Sequence, residues 1–256
     1  VVMGESVALK NTTKVIEANK ATVKQMVLHS LASAEATLSG DEREMGVVLV
    51  DIGGGTTDIV IYRQGQPWYS AVIPLGGSQL TRDLSVALKT PLYMTEEMKI
   101  KWGSVMPELV AAEEEVVIPS FQGQPKHSLS RRILCSPLHD RMLELIKLIV
   151  LKVRQSGLRE LPNGGLVLTG GGSEMTGLAD LVQKTLGGSV RIAYPEGIAG
   201  LPAQLRKPAF SAAVGLLLWG IKHQGETRSS LNGGRSIMGS KSWRWGLGRK
   251  KATATR

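Results

Sequence analysis

The segment LVDIGGGTTDIVIY at residues 49–62 restricts the possible folds more than any other part of this sequence. The nearly continuous apolar run over residues 45–52 predicts a central strand that is covered on both faces. Strands predicted over residues 58–62 and 69–75 follow after short glycine-containing turns, so we expect three consecutive antiparallel neighbours. A triple-glycine turn is therefore expected at the end of a buried strand.

The glycines at positions 53–55 are typical of a loop that binds an anion. Glycine lets the backbone turn tightly and approach a ligand, so several N–H groups can point at one anion. Thr56 and Thr57 add hydroxyl donors at the same rim, and Asp51 is well placed to hold Mg²⁺ through water. The segment lacks the Lys-Ser or Lys-Thr pair of a P-loop and the helix of a Rossmann site. A glycine-rich β-hairpin without a ligand is the alternative interpretation.

A second glycine cluster, GLVLTGGGSEMTGL at residues 165–178, repeats the pattern of an apolar strand followed by three glycines. Ligands of such sheets usually bind at strand ends, so the two loops could enclose one nucleotide from opposite sides. Strands that alternate with helices predict an α/β fold.

The longest predicted helix begins with Ser136 as its cap and Pro137 in its first turn, and Gly157 follows its end. Shorter helices are predicted over residues 78–89, 178–186 and 208–222.

The net charge of +9 is concentrated near the end of the sequence. Residues 223–256 contain eight Lys or Arg and one Glu, whereas the rest is nearly neutral. A nucleic-acid partner for the body is therefore not expected. The chain begins with Val1 and shows no signal peptide, so we expect that it starts within a longer protein.

Residues 224–240 are rich in Gly and Ser and are predicted to form a flexible linker. Residues 241–256 form a basic tail in which tryptophans alternate with arginines, and it is interpreted as a peripheral membrane anchor for an anionic surface. The anchor residues are Trp243, Arg244, Trp245, Leu247, Arg249 and Lys250. A disordered basic tail is the alternative.

Several motifs together resemble the superfamily of actin, sugar kinases and heat-shock chaperones. DIGGGTTD resembles its second phosphate motif, VLTGGGSEMTGL its adenosine motif, and LASAEATL and FSAAVGLLLWG its two connecting helices. Within this superfamily, LASAEATL, DIGGGTTDIVIY and TEEMKIKWG occur in an order similar to the FtsA family of bacterial cell division proteins. The resemblance implies an actin-like, ribonuclease H-like ATPase fold, with a mixed sheet flanked by helices and incomplete at its N-terminus.

The resemblance also implies roles for individual residues, with ATP and Mg²⁺ as cofactors. Asp51 would bind the magnesium ion through water. The phosphates would be lined by Gly53, Gly54, Gly55, Thr56 and Thr57. The adenosine would pack on Gly170, Gly171, Gly172 and Ser173. Glu97, Lys99 and Lys101 would flank the ribose and base, although a charged helix face that only meets water is an equal alternative.

The implied organisation begins with a remnant of the family's small inserted subdomain at residues 1–22. Residues 23–223 would form the second actin-like lobe, with an outer subdomain at about 95–155. The subdomain that carries the first phosphate loop is not in this sequence, so half of the nucleotide pocket would be absent. No catalytic residue is assigned, and we expect no enzyme, or at most a weak ATPase.

The implied function is an adaptor that tethers the FtsZ ring to the cytoplasmic side of the cell membrane at the division site. It would recruit other division proteins and form an actin-like polymer with copies of itself. Arg131 and Arg132 could hold the FtsZ C-terminal peptide, since an Arg fork suits carboxylates, or they could simply face water. A pilus-assembly adaptor and a sugar or acetate kinase of the same superfamily are the alternative functions.

Overall fold

A computed structural model describes residues 5–118 and 127–223 of the chain. Val27–His223 form one compact unit, and residues 5–26 belong to a separate unit that contains helix α1, Ser6–Ala18. The linker predicted over residues 224–240 and the tail predicted over residues 241–256 lie outside the described residues.

The described elements of Val27–His223 alternate in type, as the sequence predicted. The helices are α2 (His29–Thr37), α3 (Gly40–Met45), α4 (Gly77–Leu88), α5 (Leu92–Trp102), α6 (Arg131–Gln155), α7 (Leu178–Leu186) and α8 (Ser211–Lys222). The strands are β1 (Val47–Ile52), β2 (Thr57–Arg63), β3 (Gln66–Ile73), β4 (Glu115–Ile118), β5 (His127–Ser130), β6 (Leu166–Thr169) and β7 (Val190–Ile192).

The main sheet has five strands in the order β3-β2-β1-β6-β7. β1, β2 and β3 are antiparallel neighbours, which confirms the predicted arrangement, whereas β6 lies parallel to both β1 and β7. The sheet is therefore mixed. The parallel pairing of β1 with β6 places Asp51 opposite Thr169, so the two glycine loops leave the sheet at the same edge.

Both faces of the central strand are buried, as its continuous apolar sequence predicts. On one face, Val48 and Val50 belong to a large core to which α4, α6 and α7 contribute leucines and other apolar side chains. On the other face, Val47 and Leu49 belong to a smaller core with Ala34 of α2. Helices thus flank the sheet on both sides, which confirms an α/β architecture.

Helices α2 and α8 pack against each other at very close range. A Cβ atom built on Gly215 of α8 would overlap the carbonyl oxygen of Ala32 in α2. Only glycine allows this approach of the two backbones. The residue thereby fixes how α8 crosses the helix that covers β1 and β2.

The start of α6 differs from the prediction. The helix begins at Arg131, so the prediction that Ser136 caps it is wrong, and Pro137 lies inside the helix. Tertiary contacts hold the turn that precedes the proline: the Arg131 backbone N–H donates to Glu114 O at 2.8 Å, and Nε of Arg132 donates to Val110 O at 2.6 Å. These bonds outweigh the local stop signal of Ser-Pro.

No helix in the described part of the chain combines the length and the apolar character that crossing a membrane requires.

Candidate functional site

The first glycine loop forms a tight turn between β1 and β2. The N–H of Gly53 donates to Thr56 O at 2.9 Å, and Gly54, Gly55 and Thr56 are exposed. The Thr56 hydroxyl donates to Asp58 Oδ2 at 3.1 Å. Thr57 is fully buried, and its hydroxyl donates to Leu75 O at 2.7 Å. Of the two predicted threonine hydroxyls, only that of Thr56 therefore lies at the exposed rim.

Asp51 is buried at the end of β1, directly before this loop. The Ser33 hydroxyl donates to its Oδ2 atom. Nδ1 of His29 lies 3.6 Å from that oxygen and 3.6 Å from Oδ2 of Asp58, and the imidazole is half exposed. Burial raises the pKa of Asp51 above its ordinary value, and the nearby Asp58 carboxylate acts in the same direction, while the Ser33 hydrogen bond opposes both. Cationic charge at this position would stabilise the ionised carboxylate.

The second glycine loop packs directly on the first. Gly170 has a φ of 82°, and a Cβ atom there would overlap Oδ1 of Asp51. A Cβ atom on Gly172 would likewise overlap the side chain of Ile52. Ser173 is fully buried, and its hydroxyl donates to Gly170 O at 2.7 Å, so it braces the loop from within.

A third segment, at the start of α4, completes the support of the first loop. The N–H of Gly77 donates to Gly53 O at 2.9 Å, and the N–H of Ser78 donates to Gly54 O at 2.7 Å. Gly76 lies so close that an added Cβ atom would come within 2.6 Å of Gly53 O. Two backbone hydrogen bonds and this close approach therefore fix the position of the loop.

Helix α5 forms the opposite wall. Lys99 is 8% exposed, and its ammonium donates to Gly77 O at 3.1 Å, to Thr81 Oγ1 at 2.9 Å and to Glu96 Oε2 at 2.7 Å. Thr81 also donates to Glu96 Oε2. Although burial alone raises the pKa of Glu96, the hydrogen bonds from Lys99 and Thr81 hold it below its ordinary value.

These elements enclose a cleft of about 490 Å³. It is lined by both glycine loops, the start of α4, α5, and the residues after the second loop. The lining residues include Gly53, Gly54, Gly77, Glu96, Lys99 and Gly172. The strand-end position agrees with where such sheets usually bind ligands.

The cleft includes some predicted site residues and not others. Gly53, Gly54, Lys99, Gly171 and Gly172 line it together. Glu97 and Lys101 are exposed on α5 and are not among its lining residues, and Nζ of Lys101 lies 4.9 Å from the centre of the Trp102 ring.

Sequence reasoning missed three residues of this arrangement. Gly76 and Gly77 form a glycine pair, and Ser78 begins the predicted helix directly after it; such a pair is a recognisable signal for a loop that approaches another backbone. Glu96 lies three residues before Lys99, so the two share a helix face, which Glu97 does not.

Arg131 and Arg132 lie in the first turn of α6. Nε of Arg131 donates to Trp102 O at 2.7 Å, and its guanidinium forms an ion pair with Glu114 at 2.7 Å. Arg132 is exposed, and its Nε donates to Val110 O. Both arginines therefore lie at one helix end, and each donates a hydrogen bond to a backbone carbonyl of another segment.

In the described ranges 5–118 and 127–223, no group of three or more His, Cys, Asp or Glu side chains is arranged to hold a metal ion. A magnesium ion at Asp51 would thus depend on water and phosphate oxygens for most of its ligands, as is usual for this cation.

The family model for "Cell division protein FtsA" matches residues 48–215. The chain is 39% identical over 229 residues to cell division protein FtsA of Pseudomonas aeruginosa, and this match covers 90% of this chain and 55% of the relative. It is 38% identical over 218 residues to the protein of the same name from Escherichia coli K12, and this match covers 82% of this chain and 52% of the relative. The chain spans about half the length of the curated relatives it matches.

Solved structures with the same architecture share little sequence with the chain. MreB5 of Spiroplasma citri bound to ADP superimposes with a TM-score of 0.67 at 16% identity, over 90% of this chain and 69% of that one. The PilM–PilN type IV pilus biogenesis complex gives a TM-score of 0.64 at 20% identity, over 84% of this chain and 58% of that one. These similarities confirm the predicted actin-like fold.

Proposed function

Because this chain belongs to the FtsA family of cell division proteins, we propose that it is the second lobe of an ATP-binding actin-like adaptor that tethers the FtsZ ring to the membrane. One observation carries the nucleotide-binding part of this proposal. Two glycine loops from parallel neighbouring strands meet beside the buried Asp51 carboxylate, and residues of both loops line an open cleft.

Nucleotide binding also agrees with the fold. MreB5, which shares it, was solved with ADP. The cleft presents backbone N–H groups at a glycine turn, which suits phosphate. Since this chain spans about half of its relatives, we infer that the remaining part supplies the other wall of the pocket. The chain joined to that remaining part is called the complete protein below.

Magnesium fits the residues that are present. Mg²⁺ is commonly held through one or two carboxylates together with substrate phosphates and several waters. Asp51 offers a carboxylate whose ionised form is disfavoured by burial, and a divalent cation would offset that penalty. Bound magnesium would supply charge neutralisation for the phosphates.

We propose at most a weak ATPase activity, because a tether needs nucleotide to set its shape and not to drive chemistry. A sugar or acetate kinase of this fold would have no use for a basic tryptophan tail. A pilus-assembly adaptor is the second alternative, and the similarity to PilM–PilN is one of fold alone.

The proposed partner surface lies at the start of α6. Arg132 is exposed there, and its Nε donates to the carbonyl oxygen of Val110. The residues next to these two in sequence, Leu109 and Ile133, have exposed apolar side chains. An acidic peptide with apolar side chains, such as the FtsZ C-terminal peptide, would find both charge and apolar contact. Other division proteins and further copies of the chain are additional proposed partners.

Attachment to an anionic membrane surface is proposed for the tail, with the protein on the cytoplasmic side at the division site. Trp243, Trp245 and Leu247 would insert at the interface. Arg244, Arg249 and Lys250 would contribute about 1 kcal/mol each near an anionic leaflet. These positions are proposed from the sequence.

Recruitment of FtsZ to anionic vesicles tests the tether directly. The complete protein should carry FtsZ into the vesicle pellet. Versions that end at Gln224 or carry Trp243→Glu should leave FtsZ in solution. If the version that ends at Gln224 still sediments FtsZ with lipid, the tail is not the anchor and the tether is wrong.

A further inference from the structure

We propose that two partners share the surface at the start of α6, and that a second copy of the chain, docking through its Trp68, competes there with the FtsZ C-terminal peptide. The inference rests on the proposed function of this surface, and it adds the residue that joins one copy to the next. Two distant ends of the lobe carry the inference: one is acidic and apolar, and the other is basic and aromatic.

Helix α6 separates these two ends. It has 25 residues and is therefore about 37 Å long. At its start, the guanidinium of Arg131 forms an ion pair with Glu114, in the segment before β4. At its end, Nε1 of Trp68 in β3 donates to Ser156 O at 3.5 Å. Ends this far apart meet only between different copies, and because the two surfaces differ, such a contact repeats from copy to copy.

Trp68 has the features of a preformed anchor. Its residue is 59% exposed. The two-residue turn before it is well defined, because Gln64 and Gly65 both have positive φ and the N–H of Gly65 donates to Arg43 O at 3.0 Å. The guanidinium carbon of Arg63 lies 5.4 Å from the centre of the Trp68 ring. The indole is thus fixed in an exposed position before a partner binds, which lowers the entropic cost of binding.

Basic side chains lie near this anchor. Arg63 and Arg154 are exposed, and Lys152 shares the last turn of α6 with Arg154. Glu44 also lies next to the turn, close to Gly65. Charge alone therefore does not define this end of the lobe, and the exposed indole is its main feature.

The start of α6 offers a complementary surface. Glu113 and Glu115 are exposed there, whereas Glu114 between them is held in an ion pair. Three apolar side chains of the same region belong to residues that are more than half exposed, namely Leu109, Val117 and Ile133. Apolar side chains suit an indole, and free carboxylates suit Arg63 and Arg154.

The same surface carries Arg132, the proposed contact of the FtsZ peptide. Glu113 and Glu115 repel an acidic peptide, but they attract the basic end of a second copy. Reversing their charge therefore affects the two partners in opposite directions. Because both partners cover one surface, FtsZ binding at this site separates stacked copies.

The experiment uses the complete protein. Sedimentation velocity measures its self-association, and fluorescence anisotropy measures its affinity for a labelled FtsZ C-terminal peptide. Trp68→Ala removes the anchor, and Tyr194→Ala, another exposed aromatic residue, is the matched control. Circular dichroism checks the fold of each variant.

Two charge-reversed variants test which ends meet. One combines Arg63→Glu with Arg154→Glu, and the other combines Glu113→Lys with Glu115→Lys. Each alone has ends of like charge, so it should self-associate poorly. An equimolar mixture should recover self-association, because the reversed end of each variant then faces an opposite charge on the other. The second variant should also bind the peptide more tightly than the unmodified protein does.

We expect Trp68→Ala to weaken self-association about tenfold or more, and Tyr194→Ala to change it less than about twofold. Unlabelled peptide should dissociate stacked copies of the unmodified protein. Normal self-association of Trp68→Ala, a mixture that does not recover it, or stacked copies that persist in saturating peptide would overturn the proposal.

Two further outcomes assign the failure. If Trp68→Ala self-associates normally but sediments less with anionic vesicles, the turn contacts lipid and not a second copy. If the unmodified protein does not bind the peptide, the proposed FtsZ contact fails and the competition fails with it. The mixture of charge-reversed variants then still decides whether the two ends of α6 join copies.

Discussion

Gly170 and Asp51 lie so close together that a Cβ atom on Gly170 would overlap Oδ1 of the Asp51 carboxylate. Gly170→Ala should therefore both strain the loop and displace the carboxylate. We expect the free energy of unfolding to fall by more than about 3 kcal/mol, because the strained backbone and the steric overlap add up. Mg-ATP affinity of the complete protein should fall with it. Chemical denaturation and calorimetry measure the two effects.

Gly187 provides the matched control for this variant. Its φ of 69° is similar, but an added Cβ atom would meet nothing within 4 Å. Gly187→Ala isolates the cost of the backbone conformation, about 1 to 3 kcal/mol. Equal destabilisation by the two substitutions would show that the contact with Asp51 has no energetic consequence.

The crossing of α2 and α8 gives a second prediction. Gly215→Ala would press a methyl group against the Ala32 carbonyl, so the free energy of unfolding should fall by about 3 kcal/mol or more. Gly220→Ala, in the same helix, meets no neighbour and should raise it by up to about 1 kcal/mol, since alanine favours helix. Thermal unfolding of the Gly215→Ala and Gly220→Ala variants measures this difference. Similar melting temperatures for the two variants would contradict the close packing of α2 and α8.

The Glu96 network predicts a specific pH dependence. Hydrogen bonds from Lys99 and Thr81 hold the folded-state pKa of Glu96 below its ordinary value of 4.5, despite burial. Its stabilising contribution is therefore present above that value and is lost as the pH falls through the lower folded pKa.

Denaturation of the unmodified chain and of Glu96→Gln between pH 6 and pH 3 measures this contribution. The stability difference between them should shrink as the pH falls. Glu97→Gln removes a neighbouring exposed carboxylate and serves as the control. If the difference in unfolding free energy between Glu96→Gln and the unmodified chain stays constant with pH, the proposed network is contradicted.

Arg132 is the sharper probe of the partner surface, because Arg131 is committed to Trp102 and Glu114. Arg132→Glu should weaken binding of the FtsZ C-terminal peptide about tenfold or more, since a favourable charge becomes repulsive. Fluorescence anisotropy measures the affinity, and circular dichroism checks the fold. Lys147→Glu, also on α6, controls for net charge. Unchanged affinity for Arg132→Glu would remove this residue from the interface.

The sequence predicted the parts of this fold that have strong local signals. The buried run that ends at Ile52 and both glycine clusters identified the strands and the edge at which they meet. The start of α6 could not be predicted, because bonds from Arg131 and Arg132 to distant carbonyls outweigh the local effect of Pro137.

The cleft was predicted only in part, for a related reason. Its glycine loops are visible in the sequence, and the pair Gly76-Gly77 signals a close backbone approach, whereas the identity of the partner, Gly53, follows only from the tertiary structure. The choice between Glu96 and Glu97 depends on which face of α5 is turned to α4, and this follows from tertiary packing. His29 and Ser33 reach Asp51 through the packing of α2 on the sheet.

The most direct test of the account is calorimetry of Mg-ATP binding to the complete protein and its Asp51→Asn variant, with Asp140→Asn as an exposed control on α6. Because burial raises the pKa of Asp51, the variant should be at least as stable as the unmodified protein without nucleotide. We predict that Asp51→Asn weakens Mg-ATP by about thirtyfold or more, while Asp140→Asn leaves it unchanged. Equal Mg-ATP affinity in the unmodified protein and in Asp51→Asn would contradict a nucleotide site at the two glycine loops.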